Sequence, residues 1–176
     1  MMLNWFKKKR KMPKFVNGFI NPTGKKIRND SFGAGGFGTP RSSNVSARKK
    51  HNGVDYEGDA GQDVKAVTGG IISKIGYPYA DDLSFRYVEI TAEGGYRVRQ
   101  FYVFPASNVD VGTHVKKGQL IGTCQNLGKK FKGMQNHIHV EIEKDGSLVN
   151  PEELIMLEHT PFSQNVQNPP TKENIN

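Results

Sequence analysis

The sequence contains a single cysteine, Cys124, and no apolar run long enough to cross a membrane. One thiol cannot build an internal disulfide framework, so a small disulfide-stapled fold is excluded, and a buried structural role is expected for Cys124. A membrane-spanning helix needs about 20 consecutive apolar residues. The first residues, "MMLNWFKKKRKMPK", are basic without a following apolar segment, which is not the pattern of a secretory signal.

Hydrophobic residues are also scarce, at 35% of the chain, whereas the 20 glycines and 9 prolines supply many turns. This balance favours short strands over a helical bundle. A chain of 176 residues is long enough for one domain with its own core. Strands are predicted in "DVKAVTGGIISKIG", on both sides of "AEGG", in "THVKKGQLIGTC" and in "NHIHVEIEKDG", and a short helix in "NPEELIML". The fold class is therefore predicted as mainly β and antiparallel.

Positive charge is concentrated at the front of the chain. Residues 1–50 contain 13 Lys and Arg against one acid, and residues 51–176 contain 12 against 16. Such a segment can contact an anionic membrane or wall polymer, with nucleic acid a less expected partner, and a solvated tail is the simpler alternative. We expect a basic arm over residues 1–30, one domain over 31–156 and a polar tail over 157–176.

The stretch "QNHIHVEIE" places two histidines on one face of a predicted strand. His137 and His139 would lie about 6.5–7 Å apart, while the residues between them face the core. Strands hold imidazoles rigidly, as metal sites require, but a catalytic zinc usually takes three protein ligands. Glu141 shares this face, where it would either orient a histidine or be an exposed strand residue.

The segment "KKHNGVDYEG" supplies the candidate partners His51 and Asp55. Their spacing of four would fit one face of a helix, but Gly53 and the surrounding turn formers oppose a helix. A bent loop centred on Gly53 would instead bring both side chains to one point. Two imidazoles and a carboxylate suit zinc, although other divalent ions accept the same donors. The alternative is a set of unrelated polar side chains, which is what we expect of His114 and His159.

In order and spacing, five segments resemble the lysostaphin-type zinc endopeptidases (peptidase family M23), which cut peptide cross-links in bacterial cell walls. They are "GFGTPR", "HNGVDYEGDAGQDVKAVTGGIIS", "GTHVKKGQLIGT", "NHIHVEIE" and "VNPEEL", between about residues 36 and 154. The resemblance implies an antiparallel two-sheet β domain with a groove that holds one Zn²⁺. It implies His51, Asp55 and His139 as zinc ligands and His137 as the catalytic histidine beside the metal.

One part of the family pattern is missing. Active members carry a second catalytic histidine in a Tyr-x-His motif, whereas "RQFYVFPASNV" has Phe104 two residues after Tyr102. Phenylalanine neither donates a hydrogen bond nor shuttles a proton, and losing one such group costs about 10²–10³-fold in rate. Tyr102 would either donate in its place or simply pack. The subgroup of leukocyte cell-derived chemotaxin also has this stretch without the histidine. The resemblance to that subgroup implies a zinc-binding protein that acts as a ligand for partner proteins.

Three functions fit these features. The first is a zinc peptidase acting on peptidoglycan cross-links, weakened by Phe104. The second is a non-catalytic zinc-binding module that recognises wall peptide or a protein partner. The third is a structural component, such as a part of a phage virion, with the basic arm as its docking element. The lack of a signal pattern agrees with a protein that is carried by a virion or released by lysis.

Overall fold

The computed structural model describes residues 18–41 and 49–157, and these ranges are built mainly from strands. The strands are β1 (Asn29–Asp30), β2 (Gly33–Ala34), β3 (Val54–Glu57), β4 (Asp63–Lys65), β5 (Gly70–Gly76), β6 (Tyr87–Ala92), β7 (Tyr96–Phe101), β8 (Val103–Pro105), β9 (His114–Val115), β10 (Leu120–Cys124), β11 (His137–Lys144) and β12 (Ser147–Val149). Helix α1 (Pro151–Leu157) follows, as predicted. None of the helices in these ranges has the length and apolar character to span a membrane.

The strands form one large sheet, one small sheet and a short hairpin, and every strand pairing is antiparallel. The large sheet has the order β12-β11-β7-β6-β5-β9, with β3 also paired to β11. The small sheet has the order β4-β10-β8, and β1 pairs with β2. A one-turn 3₁₀ segment, Glu93–Gly95, joins β6 to β7 at the predicted "AEGG" hairpin. The predicted fold class, mainly β and antiparallel, is confirmed.

The core lies between the two sheets because alternate residues of each strand face inward. From the large sheet, the fully buried Val88, Ile90, Val98 and Val140 enter one hydrophobic cluster, together with further residues of β11. Val64, Val103 and Ile121 enter the same cluster from the small sheet. The opposite face of β6, β7 and β11 carries charged side chains and the two histidines of β11.

Part of the expected basic arm belongs to the packed domain. Residues 18–30 are described, and Phe19 is buried in the core. Its ring makes a T-shaped contact with the ring of Tyr96, with 5.1 Å between the centroids. The amide of Ile20 also donates to the carbonyl of Val67. The packed unit therefore begins before residue 31, because apolar residues are interspersed among the lysines. Residues 1–17, most of the expected tail, and His159 lie outside the described residues.

A buried amide side chain ties the large sheet to the segment that follows β4. Gln100 of β7 is fully buried, its Nε2 donates to the carbonyl of Lys65 at 2.9 Å, and its Oε1 accepts from the amide of Val67 at 2.9 Å. Cys124 is buried in β10, and burial raises the pKa of its thiol to about 11. The cysteine is therefore a packing residue, as expected.

Replacing Gln100 with leucine removes both hydrogen bonds and leaves the buried amide of Val67 without its partner. An unpaired buried group costs about 1–3 kcal/mol, so we expect the unfolding free energy to fall by about that amount in denaturant titrations. Gln119→Leu is the matched control, because its Oε1 also accepts one amide, that of Lys116, but on an exposed turn. Equal losses in the two variants would contradict this prediction.

Candidate metal centre

The pairing of β3 with β11 brings the three predicted ligands together. His139 lies directly opposite Asp55 in this pairing, and His51 comes four residues before Asp55 at the entrance to β3. Nδ1 of His139 is 2.7 Å from Oδ1 of Asp55 and 2.9 Å from Nε2 of His51. Nε2 of His51 is 3.2 Å from Oδ1 of Asp55. Three atoms with lone pairs therefore meet at one point.

The glycine between His51 and Asp55 makes this approach possible. A Cβ at Gly53 would lie 2.2 Å from the carbonyl oxygen of Val140 and 2.8 Å from Cε1 of His139. Any side chain there would push the loop away from β11 and separate His51 from His139. The structure has the bent loop that the sequence indicated, and not a helical turn.

Hydrogen bonds on the far side of each ring fix how the two histidines face the centre. Nδ1 of His51 donates to the carbonyl of Gly36 at 2.9 Å, which turns Nε2 and its lone pair inward. Nε2 of His139 lies 3.4 Å from Oε1 of Glu141, whose other oxygen accepts from Arg99 at 2.8 Å. Of the two roles considered for Glu141, the structure supports the orienting one.

This donor set fits a divalent metal ion. Zinc bonds of about 2.0–2.1 Å at tetrahedral angles would place the ligand atoms about 3.4 Å apart. The three observed separations are 2.7–3.2 Å, so a small outward movement would suffice. Burial lowers the pKa of His139, but hydrogen bonds with Asp55 and Glu141 outweigh it and raise the pKa overall. Protons and a metal ion compete for these ligand atoms, so metal affinity should fall as the pH falls.

Two arginines hold the second oxygen of Asp55. Oδ2 accepts from Nη2 of Arg28 at 3.0 Å and from Nη2 of Arg41 at 2.9 Å. Arg28 is 2% exposed and also donates to Asp30. Burial raises the pKa of Asp55, but hydrogen bonds with His139 and His51 outweigh it, so the pKa lies well below its usual range. Only Oδ1 is left to face the centre.

His137 stands beside the donor set without joining it. Its Nδ1 donates to the carbonyl of Gln135 at 2.8 Å, and its Nε2 is 3.8 Å from Oδ1 of Asp55. Burial lowers the pKa of His137 to about 4, so the ring is neutral at pH 7. The Nε2 lone pair can accept a proton within the cavity.

The site lies in an open cavity of about 250 Å³ with an aromatic wall. The lining residues are Arg28, Arg41, His51, Asp55, Tyr79, Tyr102, Phe131, Met134, His137 and His139. Phe104 does not line it: that side chain is 59% exposed and borders a different cavity, with Phe85 and Lys129. Phe104 stands at the motif position of the second catalytic histidine in the sequence, but its side chain lies outside this cavity. His114 is exposed in β9, away from the site.

Sequence reasoning did not find Arg28, Arg41 or Tyr79. Arg41 ends the quoted "GFGTPR", which was a signal that could have been used. Arg28 and Tyr79 lie in segments with no motif, so only the folded chain shows their contacts with the site.

Both a family model and a sequence relative match a large part of this chain. Residues 49–151 match the family model described as Peptidase family M23. Leukocyte cell-derived chemotaxin-2 of Bos taurus is 30% identical over 112 residues, which cover 64% of this chain and 69% of the bovine protein.

Solved structures resemble the chain over most of its length. Helicobacter pylori Csd3 matches with a TM-score of 0.59 at 25% identity, covering 78% of this chain and 35% of the Csd3 chain. A zinc-containing peptidase from Vibrio cholerae matches with a TM-score of 0.56 at 23% identity, covering 77% of this chain and 39% of that one. The latter likeness concerns the fold alone. This chain thus spans well under half of either solved protein.

Replacing Arg28 with methionine should destabilise the domain strongly. The change leaves Asp30 and one oxygen of Asp55 short of a buried partner, and breaking such a pair costs about 3–5 kcal/mol. Lys25→Met is the control, because Lys25 also pairs with an aspartate, Asp59, but at the surface, where pairs contribute about 0–1 kcal/mol. Denaturant titration of both variants is the measurement. If the Arg28→Met variant were as stable as the Lys25→Met variant, Arg28 would not stabilise the domain through its pairs with Asp30 and Asp55.

Proposed function

The chain belongs to peptidase family M23, and from this premise we propose that it is a zinc-dependent endopeptidase that hydrolyses peptide cross-links of bacterial peptidoglycan. One observation carries the proposal. His51, Asp55 and His139 turn three donor atoms to one point on the floor of an open cavity, and a neutral His137 stands beside them. This is the arrangement of three protein ligands and an accessible base that hydrolytic zinc sites use.

The chemistry divides between the ion and the chain. When bound, zinc supplies Lewis acidity that polarises a peptide carbonyl and acidifies water. Nε2 of His137 takes a proton from the attacking water as the new C–O bond forms. The same nitrogen returns a proton to the leaving amine as the C–N bond breaks. The hydrogen bond from Nδ1 to Gln135 keeps the ring in this orientation.

The choice of peptidoglycan rests on the family resemblance and on the charge of the cavity. The lining contains two arginines against one aspartate, but Arg28 is also paired with Asp30, so a divalent ion would supply the net positive charge of the cavity. Wall peptides carry free carboxylates, which such a cavity attracts. An open cavity also accepts an extended chain more readily than an enclosed pocket does.

A second candidate is a zinc-binding module without turnover. The 30% identity with chemotaxin-2 favours it. So does the cavity lining within the described residues, where His137 is the one histidine outside the donor set. The floor of the site would then serve recognition of a wall peptide or a protein partner.

Zinc binding can be tested without any substrate. We expect one equivalent of Zn²⁺ per chain by elemental analysis, with affinity weakening as the pH falls because the ligand nitrogens must lose protons. His139→Ala removes one ligand and should lower the affinity for zinc by a factor of about 10² or more. Losing even an outer hydrogen-bond partner of a ligand costs about 10–100-fold in metal affinity. His114→Ala removes an exposed histidine from β9 and should bind zinc normally. Equal zinc content and affinity in both variants would refute the assigned ligands.

Turnover is tested by digesting peptidoglycan with the zinc-loaded protein and identifying the products by mass spectrometry. We expect new peptide termini, reduced by about 10²–10⁴-fold in His137→Ala because the proton acceptor is lost. The His114→Ala variant should digest as the unchanged protein does. Undigested peptidoglycan, from protein shown to hold one zinc, would instead support the binding module.

A further inference from the structure

We propose that Tyr102 is a catalytic residue that donates its phenolic hydrogen bond to the carbonyl oxygen under attack, and that Tyr79 is a positioning residue that holds the phenol. The inference rests on the proposed peptidase function and assigns the hydrogen-bond donor that the missing histidine would have provided. Tyr102 lines the cavity of the metal centre, whereas Phe104 borders another one.

The backbone at Tyr102 departs from the strand in a way that turns the side chain to the site. Its φ is +66°, a conformation that aromatic residues rarely adopt. The strain persists because both backbone groups are held: the amide donates to Arg86 at 2.8 Å and the carbonyl accepts from Gln125 at 2.9 Å. Such strain, held by the surroundings, is typical of functional positions.

The phenol of Tyr102 is fixed on two sides. Its hydroxyl is 2.8 Å from that of Tyr79, and its ring meets the ring of His137 edge-on, with centroids 5.3 Å apart. The ring of Tyr102 therefore lies beside that of the proposed proton acceptor, and both residues line the same cavity.

Tyr79 is itself held by the wall of the cavity. Its ring meets those of Phe85 and Phe131 edge-on, each with centroids 5.8 Å apart, and Lys130 lies 4.8 Å from its centre. Only one hydrogen is shared between the two hydroxyls, and when Tyr79 donates it to the oxygen of Tyr102, the hydrogen of Tyr102 is free to point into the cavity. A donor fixed in advance stabilises a developing oxyanion more than one that must reorient.

The roles of Tyr102 and His137 are complementary. A phenol keeps its proton at neutral pH, so Tyr102 donates a hydrogen bond and transfers no proton. His137 alone moves the proton from the water to the leaving nitrogen. The oxyanion regains its carbonyl form when the C–N bond breaks, and the hydrogen bond to Tyr102 then weakens.

The variant Tyr102→Phe tests the inference because it keeps the ring and removes only the hydroxyl. With zinc content unchanged, we expect kcat to fall about 10²–10³-fold with little change in KM. Tyr79→Phe should lower kcat by a smaller factor, about tenfold, again without raising KM. Tyr77→Phe, which removes an exposed hydroxyl in the same segment, is the control and should match the unchanged protein.

A second measurement does not depend on turnover. A phosphinic pseudopeptide places a tetrahedral, negatively charged group where the attacked carbonyl would be, and calorimetry gives its affinity for the zinc-loaded protein. We expect Tyr102→Phe to weaken this analogue at least tenfold while leaving the affinity for an uncleaved product peptide unchanged. Full kcat and full analogue affinity in this variant would overturn the role of Tyr102 and leave the peptidase function standing. Zinc-loaded unchanged protein that never cleaves peptidoglycan would overturn the peptidase function, and the catalytic role of Tyr102 with it.

Discussion

The register between β3 and β11 is the constraint on which the site depends. A shift of one residue would turn His139 to the core and Ile138 to the cavity, because side chains alternate along a strand. The buried residues Val54, Val140 and Ile142 oppose such a shift, since it would expose them. The same hydrophobic burial that stabilises the domain therefore also sets the distance between His139 and Asp55. Gly53 adds the close approach that completes the donor set.

Buried and partly buried charged groups surround the pairing of β3 with β11. Asp55 faces two arginines on one oxygen and two histidines on the other, and Glu141 links His139 to Arg99. Buried ion pairs seldom add much to net stability, because the loss of hydration offsets their attraction. What they provide here is orientation: each ligand has one atom facing the centre and its other polar atoms occupied. Such second contacts hold the geometry that a metal ion needs.

The sequence identified the three residues that the fold brings together on the floor of this cavity but missed most of its wall, for physical reasons. His51, Asp55 and His139 sit where local rules apply, namely the alternation of a strand and the bend required by a glycine. Arg28 reaches Asp55 from a lead-in segment whose path depends on packing over the whole domain. Tyr102 and Phe104 are two residues apart, so alternation places them on one face. The positive φ at Tyr102 and the change of sheet between β7 and β8 break that alternation.

The two candidate functions share the floor and differ in what the wall must do. A recognition site and a hydrolytic site can use the same three ligands, because both hold the ion and the carbonyl that faces it. Only hydrolysis generates a tetrahedral oxyanion, and only hydrolysis gains from a fixed donor beside the proton acceptor. For the proposed peptidase, the strained tyrosine that touches His137 and is held by a second tyrosine supplies such a donor. The wall, more than the ligands, is therefore where the two candidate functions differ.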